Sequence, residues 1–316
     1  MTTVLITGIG GDIAQCVATI IRETNAGYRL VGSDTHDQHG GKLYVDSFSL
    51  LPRADDSAYV ESLMSLVRRE SVDIVIPMSE PELDALRNAM ASHSGVHWIT
   101  PGSKAIMVGV DKLMTAQVLT SAGITMPWTQ AVSAGLPPAY PCIVKERRGS
   151  GSRAVFKASN REEAEYISAR HPGAVYQEYL QPDDGEVTCA VYRARDDRVA
   201  VLQLLRRLVG GLTGWARVIQ DPMIEEICVR AANALNLRGS MNVQLRITSF
   251  GPRIFEINPR FSSTVLMRHR IGFSDVLWSL QECAGKPVEF PCIPAGTKIV
   301  RTQGAAVING NEKAGA

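Results

Sequence analysis

The sequence has almost no charge imbalance: 33 Lys and Arg face 32 Asp and Glu, a formal net charge of +1. That removes the broad basic field that holds nucleic acid, and the acidic one that attracts cationic partners. No uninterrupted apolar run approaches the ~20 residues that cross a bilayer. The start, MTTVLITGIGG, has no basic segment ahead of a long apolar one, so neither a membrane partner nor a signal peptide is expected. The six cysteines, at 16, 142, 189, 228, 283 and 292, form no C-x-x-C pair. In a chain this long they read as reduced thiols of a cytoplasmic protein, not as a disulfide frame. There is no internal repeat, no low-complexity segment and no convincing Ser/His/Asp or Cys/His set. What remains is ordinary globular composition over 316 residues, enough for two domains.

The first hundred residues alternate strand-like and helix-like segments: TVLITG, DIAQCVATIIRET, RLVGSD, SAYVESLMSLVRRES, VDIVIPM, PELDALRNAMASH and HWITP. Such alternation predicts a parallel, doubly wound α/β unit of Rossmann-like type over residues 1–103. From Asp111 strands and helices mix differently. DKLMTAQVLTSAG, NREEAEYISAR and PMIEEICVRAANALN have helical spacing. EVTCAVYRARDDRVAVLQLLRR reads as a hairpin turned at Asp196-Asp197, and SMNVQLRITSFGPRIFEIN as a second one. VGGLTGWA reads as a glycine-rich loop. The expectation is an α+β domain over 104–310, with one lobe at about 115–180 and a frayed tail at 311–316.

GIGGDIAQ follows a strand and opens a helix, so a dinucleotide fingerprint has to be weighed. Gly8 and Gly10 match its first two glycines and Asp34 stands where a ribose-binding acid would, but the third glycine is replaced by Ile13. Any Rossmann-like sheet needs a glycine turn there, and the partial match reads as fold, not NAD. His36 and His39 beside Asp34 and Asp37 suggest a metal site, yet their loop lacks an element to fix ligand geometry. A solvated loop is the better reading.

The second half carries more. Lys145 ends an apolar strand just before Arg147, Arg148 and the loop Gly149, Ser150, Gly151 and Ser152. Backbone N–H groups and hydroxyls of such a loop can cradle phosphate oxygens; a solvated hairpin turn is the bland alternative. YQEYLQPDDGEV puts Glu178, Tyr179 and Leu180 at a strand end, where backbone groups can meet adenine, with Glu186 available to ribose hydroxyls. In the last hairpin a turn at Ser249-Phe250-Gly251 makes opposing residues sum to 500, so Gln244 faces Glu256. Side chains alternate along strands, so Asn258 shares their face. Three oxygen ligands then converge, which suits Mg²⁺. Phe255, Ile257 and Phe261 bracket the polar residues and imply a core on the other face. Pro259 ends the ladder and Arg260 follows it.

In this order DKLMTAQVLTSAGITMP, CIVKERRGSGSRAV, VYQEYL…GE, MNVQL and FEINPRFSST resemble the ATP-grasp superfamily over roughly residues 105–275. The N-Q…E-x-N-P-R form is most similar to short, single-unit relatives of the carbamoyl-phosphate synthetase large subunit. The first hundred residues resemble that family's pre-ATP-grasp domain. The resemblance implies ATP between two α+β lobes and Mg²⁺, as two ions with Mn²⁺ able to substitute. Lys112 and Lys145 would contact phosphates, 149–152 form the lid loop, Glu178 to Leu180 hold adenine, and Glu186 the ribose. Gln244, Glu256 and Asn258 match the metal ligands, and Arg260 the arginine at the transferred phosphate. The chain departs from the pattern at GLTGWARV, where the synthetase branch has histidine. Trp215 and Arg217 there, with Arg268 beyond the hairpin, are the candidate substrate contacts, Arg217 as a catalytic carboxylate clamp.

The implied activity is a ligase joining a small carboxylate to an amine through an acyl-phosphate. Alternatives are a phosphoryl- or carboxyphosphate-forming enzyme without amide synthesis, and an NAD-dependent oxidoreductase. A homodimer is the default assembly.

Overall fold

The structure, a computed structural model, describes residues 1–92, 95–149 and 154–302. The expected frayed tail 311–316, the end of the second domain and loop residues Ser150, Gly151 and Ser152 lie outside them.

The amino-terminal part is β1 (Thr3–Ile6), α1 (Asp12–Glu23), β2 (Arg29–Asp34), β3 (Ser47–Leu50), α2 (Tyr59–Arg69), β4 (Ile74–Ile76), α3 (Glu80–Ser92) and β5 (His97–Trp98). All pairs are parallel, in the order β3-β2-β1-β4-β5. The central strands are apolar on both faces, with Val4, Leu5 and Ile6 fully buried, as a sheet covered on both sides requires. β3 has no counterpart in the sequence reading. It is a four-residue edge strand, SFSL, with no residue fully buried, so it carries neither an apolar run nor a clear alternation.

After α4 (Ser103–Gly109) and α5 (Lys112–Ser121) comes a four-stranded sheet with β6 (Thr129–Ala131), β7 (Cys142–Glu146), β8 (Val155–Ala158), α6 (Arg161–Arg170) and β9 (Ala174–Glu178), in the order β6-β9-β7-β8. Asp111 caps α5 by accepting from the Leu113 and Met114 amides. The second antiparallel sheet holds β10 (Glu186–Arg193), β11 (Val199–Val209), β12 (Leu212–Ile219), β13 (Gly239–Thr248), β14 (Gly251–Asn258) and β15 (Lys298–Val300), in the order β14-β13-β10-β11-β12-β15. Helix α7 (Pro222–Ala234) precedes β13; α8 (Val265–His269) and α9 (Asp275–Cys283) follow β14. Helices α4, α8 and α9 have seven, five and nine residues, too few turns for periodicity to announce them.

Two readings are corrected here. The expected glycine-rich loop VGGLTGWA is a tight hairpin: β11 runs to Val209, β12 begins at Leu212, and Gly210 and Gly211 both take positive φ. That is the two-residue turn whose twist matches paired strands. In the last hairpin the turn is also one residue shorter than expected. Thr248 pairs with Gly251 and Leu245 with Ile254, sums of 499. A bulge at Phe255 then restores the sum of 500, so Gln244 faces Glu256 and Asn242 faces Asn258.

One face of the parallel sheet packs on α1, and the same core cluster takes in Phe261, Val265, Val276 and Leu280 from beyond β14. The residues following the last hairpin are therefore seated on the amino-terminal sheet. This ties its end to the start of the chain. Among the described residues no helix is long and apolar enough to cross a membrane.

Candidate active site

Across the six-stranded sheet, cross-strand partners share a face. On one face this brings together Glu256 and Asn258 of β14, Asn242, Gln244 and Arg246 of β13, Glu186 and Thr188 of β10, and Arg206 of β11. These residues, except Thr188, line a cavity of about 470 Å³. Its opposite wall comes from the four-stranded sheet: Ile143 and Lys145 of β7, Val155 of β8, Gln177 and Glu178 of β9. Tyr179, Leu180 and Asp183 close one end, and Asp12 and Ile13 at the start of α1 line it with Ser262 and Ser263.

The bulge has a direct consequence for Lys145. Phe255 leaves the ladder, and its carbonyl accepts from Lys145 Nζ at 3.1 Å and from Gln177 Nε2 at 3.4 Å. The Phe255 ring is only half-buried and lines the cavity, so the expectation that it faces core fails; Ile257 and Phe261 are buried as expected. Lys145 is 5% exposed. Burial first, then Lys112, push its ammonium down to about 8, against the pull of Glu256. A buried cation held by one carbonyl is a poor structural element but a strong attractor for an anion brought to it.

The expected metal ligands converge. Asn258 Nδ2 donates to Glu256 Oε1 at 3.2 Å, and Asn258 Oδ1 accepts from Arg260 Nη2 at 3.3 Å. Asn242 was missed, although it stands two residues before Gln244 on the same strand; its Oδ1 accepts from the Thr188 hydroxyl at 2.8 Å. No cluster of three or more His, Cys, Asp or Glu of metal-binding shape occurs among the described residues. Here the donor set is one carboxylate with carboxamide oxygens, of the hard, all-oxygen kind that fits Mg²⁺ when a polyphosphate supplies the remaining charge.

Arg260 reaches back to the amino-terminal sheet. Its Nη2 lies 3.3 Å from Glu80 Oε1, without hydrogen-bond geometry, and Oε1 is buried with no donor among the described residues. Burial raises the Glu80 carboxyl; Arg260 opposes this and Glu256 adds to it. Glu80 opens α3 within SEPELDAL, and only its place in the three-dimensional packing identifies it.

At the other end Glu178 accepts from the Trp128 amide at 3.2 Å and has Arg253 3.6 Å away. Tyr179 donates to Asp183 at 2.8 Å, and Lys157 sits 4.1 Å above its ring. The Leu180 carbonyl accepts from Arg246. Glu186 is less free than the sequence implies: Arg206 Nη2 reaches Oε1 at 2.5 Å and Arg246 Nη2 reaches Oε2 at 3.0 Å.

Other candidates stand apart. Lys112 donates to the Gly149 carbonyl at 2.7 Å and neither residue lines the cavity. Trp215 pairs with Arg207 and Arg217 with Leu205, which puts both on the sheet face opposite the cavity; Arg217 is exposed. The error followed from reading strand β12 as a loop, where no alternation applies. Arg268 is buried, not a cleft residue. It makes a two-armed ion pair with Asp275, at 2.9 and 2.6 Å, and donates to Ser262 and Thr264. From behind, it fixes the loop that lines the cavity at Ser262.

At the glycine turn, Asp34 accepts from the Gly10 amide at 2.8 Å and from the Thr35 amide at 2.7 Å. A Cβ on Gly10 would lie 2.6 Å from His39 Cδ2, so the imidazole covers the backbone a pyrophosphate would approach. His39 also accepts from the Gly41 amide, a local structural role.

Compared with known proteins, residues 110–264 match the family description "ATP-grasp domain" and residues 4–99 "PylC-like, N-terminal domain". None of the curated proteins matches the chain significantly. Solved structures that resemble it include N5-carboxyaminoimidazole synthetase from Staphylococcus aureus complexed with ADP, with TM-score 0.75 and 19% identity over 92% of this chain and 79% of that one. An L-amino acid ligase from Bacillus licheniformis follows at TM-score 0.72 and 18% identity, over 90% and 74%. The biotin carboxylase domain dimer of Hydrogenobacter thermophilus 2-oxoglutarate carboxylase, with MgADP and bicarbonate, superimposes at TM-score 0.72 and 16% identity, over 94% and 73%.

Proposed function

The chain carries an ATP-grasp domain behind a PylC-like N-terminal domain, and on that premise we propose that it is an ATP-dependent carboxylate–amine ligase working through an acyl-phosphate. The observation that carries this reading is the shared face of Asn242, Gln244, Glu256 and Asn258, opposite a buried lysine and beside Arg260, in one cavity. We place the boundary between the two domains near residue 103, in a cytoplasmic protein whose six cysteines are free.

ATP lies with its base at Glu178–Leu180 and its phosphates toward Lys145. Gln244, Glu256 and Asn258 would hold Mg²⁺, which screens phosphate charge when bound. The Lys145 ammonium, desolvated before any ligand arrives, faces the phosphate chain with little reorganisation. Arg260, steadied by Glu80 and Asn258, meets the oxygens of the γ-phosphoryl group. A substrate carboxylate oxygen attacks phosphorus and ADP leaves; the amine nitrogen then attacks the acyl carbon, phosphate leaves, and the amine gives up a proton. Positioning and charge supply most of the rate in such transfers, and no dedicated base is needed. With Glu186 clamped by Arg206 and Arg246, the ribose meets a paired carboxylate with guanidinium donors on either side. Trp215, Arg217 and Arg268 have no part in substrate contact.

The test is ADP release with Mg-ATP over pools of carboxylates with and without amines, and with hydroxylamine as trap. Release needing both substrates, and hydroxamate formed from the carboxylate alone, are expected. A second reading, in which bicarbonate is the carboxylate and a carboxylated nitrogen the product, draws on the names of two of the similar structures. Turnover with bicarbonate and no other carboxylate would select it. Absence of ADP release from every pool sinks both readings.

A further inference from the structure

A second cavity, of about 330 Å³, lies where β5, the end of β10, the start of β13 and α9 meet. Trp98, Arg193, Arg195, Arg238 and Glu282 are among its lining residues. Arg193 ends β10, whose first residue, Glu186, lines the ATP cleft. Seven residue steps at ~3.3 Å separate these positions, so the cavity is roughly 23 Å from the cleft.

Its polar groups are unbalanced in one direction. Two buried donors aim at no acceptor: Trp98 Nε1 and Arg193 Nε have no hydrogen-bond partner among the described residues. Arg193 Nη2 and Arg238 Nη1 both reach Asp197 Oδ1, each at 2.9 Å, which leaves Arg193 Nε unused. The lining carboxylate is already occupied: Glu282 accepts from the Tyr192 hydroxyl at 2.9 Å and from the Arg195 amide at 2.7 Å. Arg195 adds an exposed guanidinium at the rim. Native proteins leave few buried donors unpaired, and here two belong to side chains that line one cavity. A group with several acceptor oxygens and negative charge meets both N–H groups and the arginine forks together. The volume is that of a small-molecule site.

We propose that this cavity is a binding site for a small oxyanion, a phosphorylated or polycarboxylate metabolite, separate from the ATP cleft. It spans the amino-terminal sheet and the strands whose opposite ends build that cleft.

Calorimetric titration and thermal melting of the full chain at fixed ionic strength test this, with inorganic phosphate, pyrophosphate and citrate as probes. At least one probe binds saturably at one site. Trp98→Phe, which removes the indole donor along with part of the ring, and Arg195→Gln each weaken it tenfold or more, while Arg260→Ala in the cleft leaves it unchanged. Preference for pyrophosphate or for citrate then tells phosphoryl from carboxylate ligands. Arg195 is exposed, so its variant keeps the test readable even if Trp98→Phe folds poorly. No saturable binding of any probe, or binding lost in Arg260→Ala and kept in the two cavity variants, overturns the proposal.

Discussion

The glycine turn after β1 and the polar face of the six-stranded sheet present similar side chains in opposite conditions. At the turn, Asp34 already accepts from the Gly10 and Thr35 amides, and His39 lies against Gly10. In the cleft, Glu256 accepts from an amide at 3.2 Å as its one hydrogen bond among the described residues, and Lys145 is buried with a carbonyl as its hydrogen-bond partner. A group whose bonds are made inside the protein stabilises the fold. One held in place but under-bonded has interaction energy left for a ligand. Arg268 and Arg260, eight residues apart, repeat the contrast: the first is sealed against Asp275, the second borders the cavity.

The largest effect should follow from opening a sealed group. Arg268→Ala strands Asp275 in the core, and removing one partner of a buried pair costs about 3–5 kcal/mol. Denaturant unfolding should show that loss, whereas Arg260→Ala, which removes only a looser partner 3.3 Å from Glu80, should lower the midpoint by clearly less and lower kcat. Equal stability losses in the two variants would erase the distinction.

Next comes Glu256→Gln, which keeps shape and removes the cleft's central charge. By comparison with other electrostatic transition-state groups, turnover should fall about 10²- to 10³-fold, with the far-ultraviolet circular dichroism unchanged. Asp34→Asn is the matched change at the turn. It should lower the melting temperature and leave the KM for ATP alone; a turnover loss equal to that of Glu256→Gln would make the turn part of the site.

Smaller still is Gly10→Ala. The added methyl meets His39 Cδ2 at 2.6 Å, so the ring must shift, at an overpacking cost of about 1–3 kcal/mol. Stability measured by urea unfolding should drop by that amount in wild type, and by clearly less in a His39→Ala background. No rescue by His39→Ala would mean that the strain lies elsewhere.

Much of this arrangement was legible because β-structure has a period of two. Once FEIN and NVQL are strands across a turn, the convergence of Gln244, Glu256 and Asn258 follows from alternation, and Asn242 follows by the same rule. The bulge did not: nothing in RIFEIN marks Phe255 as the extra residue, and two compensating one-residue errors left the expected pairing correct at the site. Glu80 and Asp12 reach Arg260 or the cavity through tertiary packing between distant segments, which local patterns do not encode, whereas Arg206 is set beside Glu186 by the register of the β10–β11 hairpin. The misplaced Trp215 and Arg217 show the reverse case, where glycines that build a tight hairpin were read as a loop.

Lys145 gives the finest test of the cleft as an under-bonded region. Burial holds its folded pKa down to about 8, below the ordinary lysine value of 10.5. Below pH 8 both states hold the proton. Between about 8 and 10.5 the unfolded chain keeps it and the folded chain has released it, so this group's contribution to stability rises with pH across that window. Phosphate attraction has the opposite sign, because only the ammonium offers a charge. From pH 7 to 9 the affinity of the free protein for ATP should therefore fall by up to about tenfold, while the melting temperature gains relative to Lys145→Arg. That variant, with a cation that does not titrate in this range, should bind ATP with little pH dependence. Parallel pH slopes in wild type and Lys145→Arg would mean that another group titrates, and that Lys145 is as fully satisfied as Asp34.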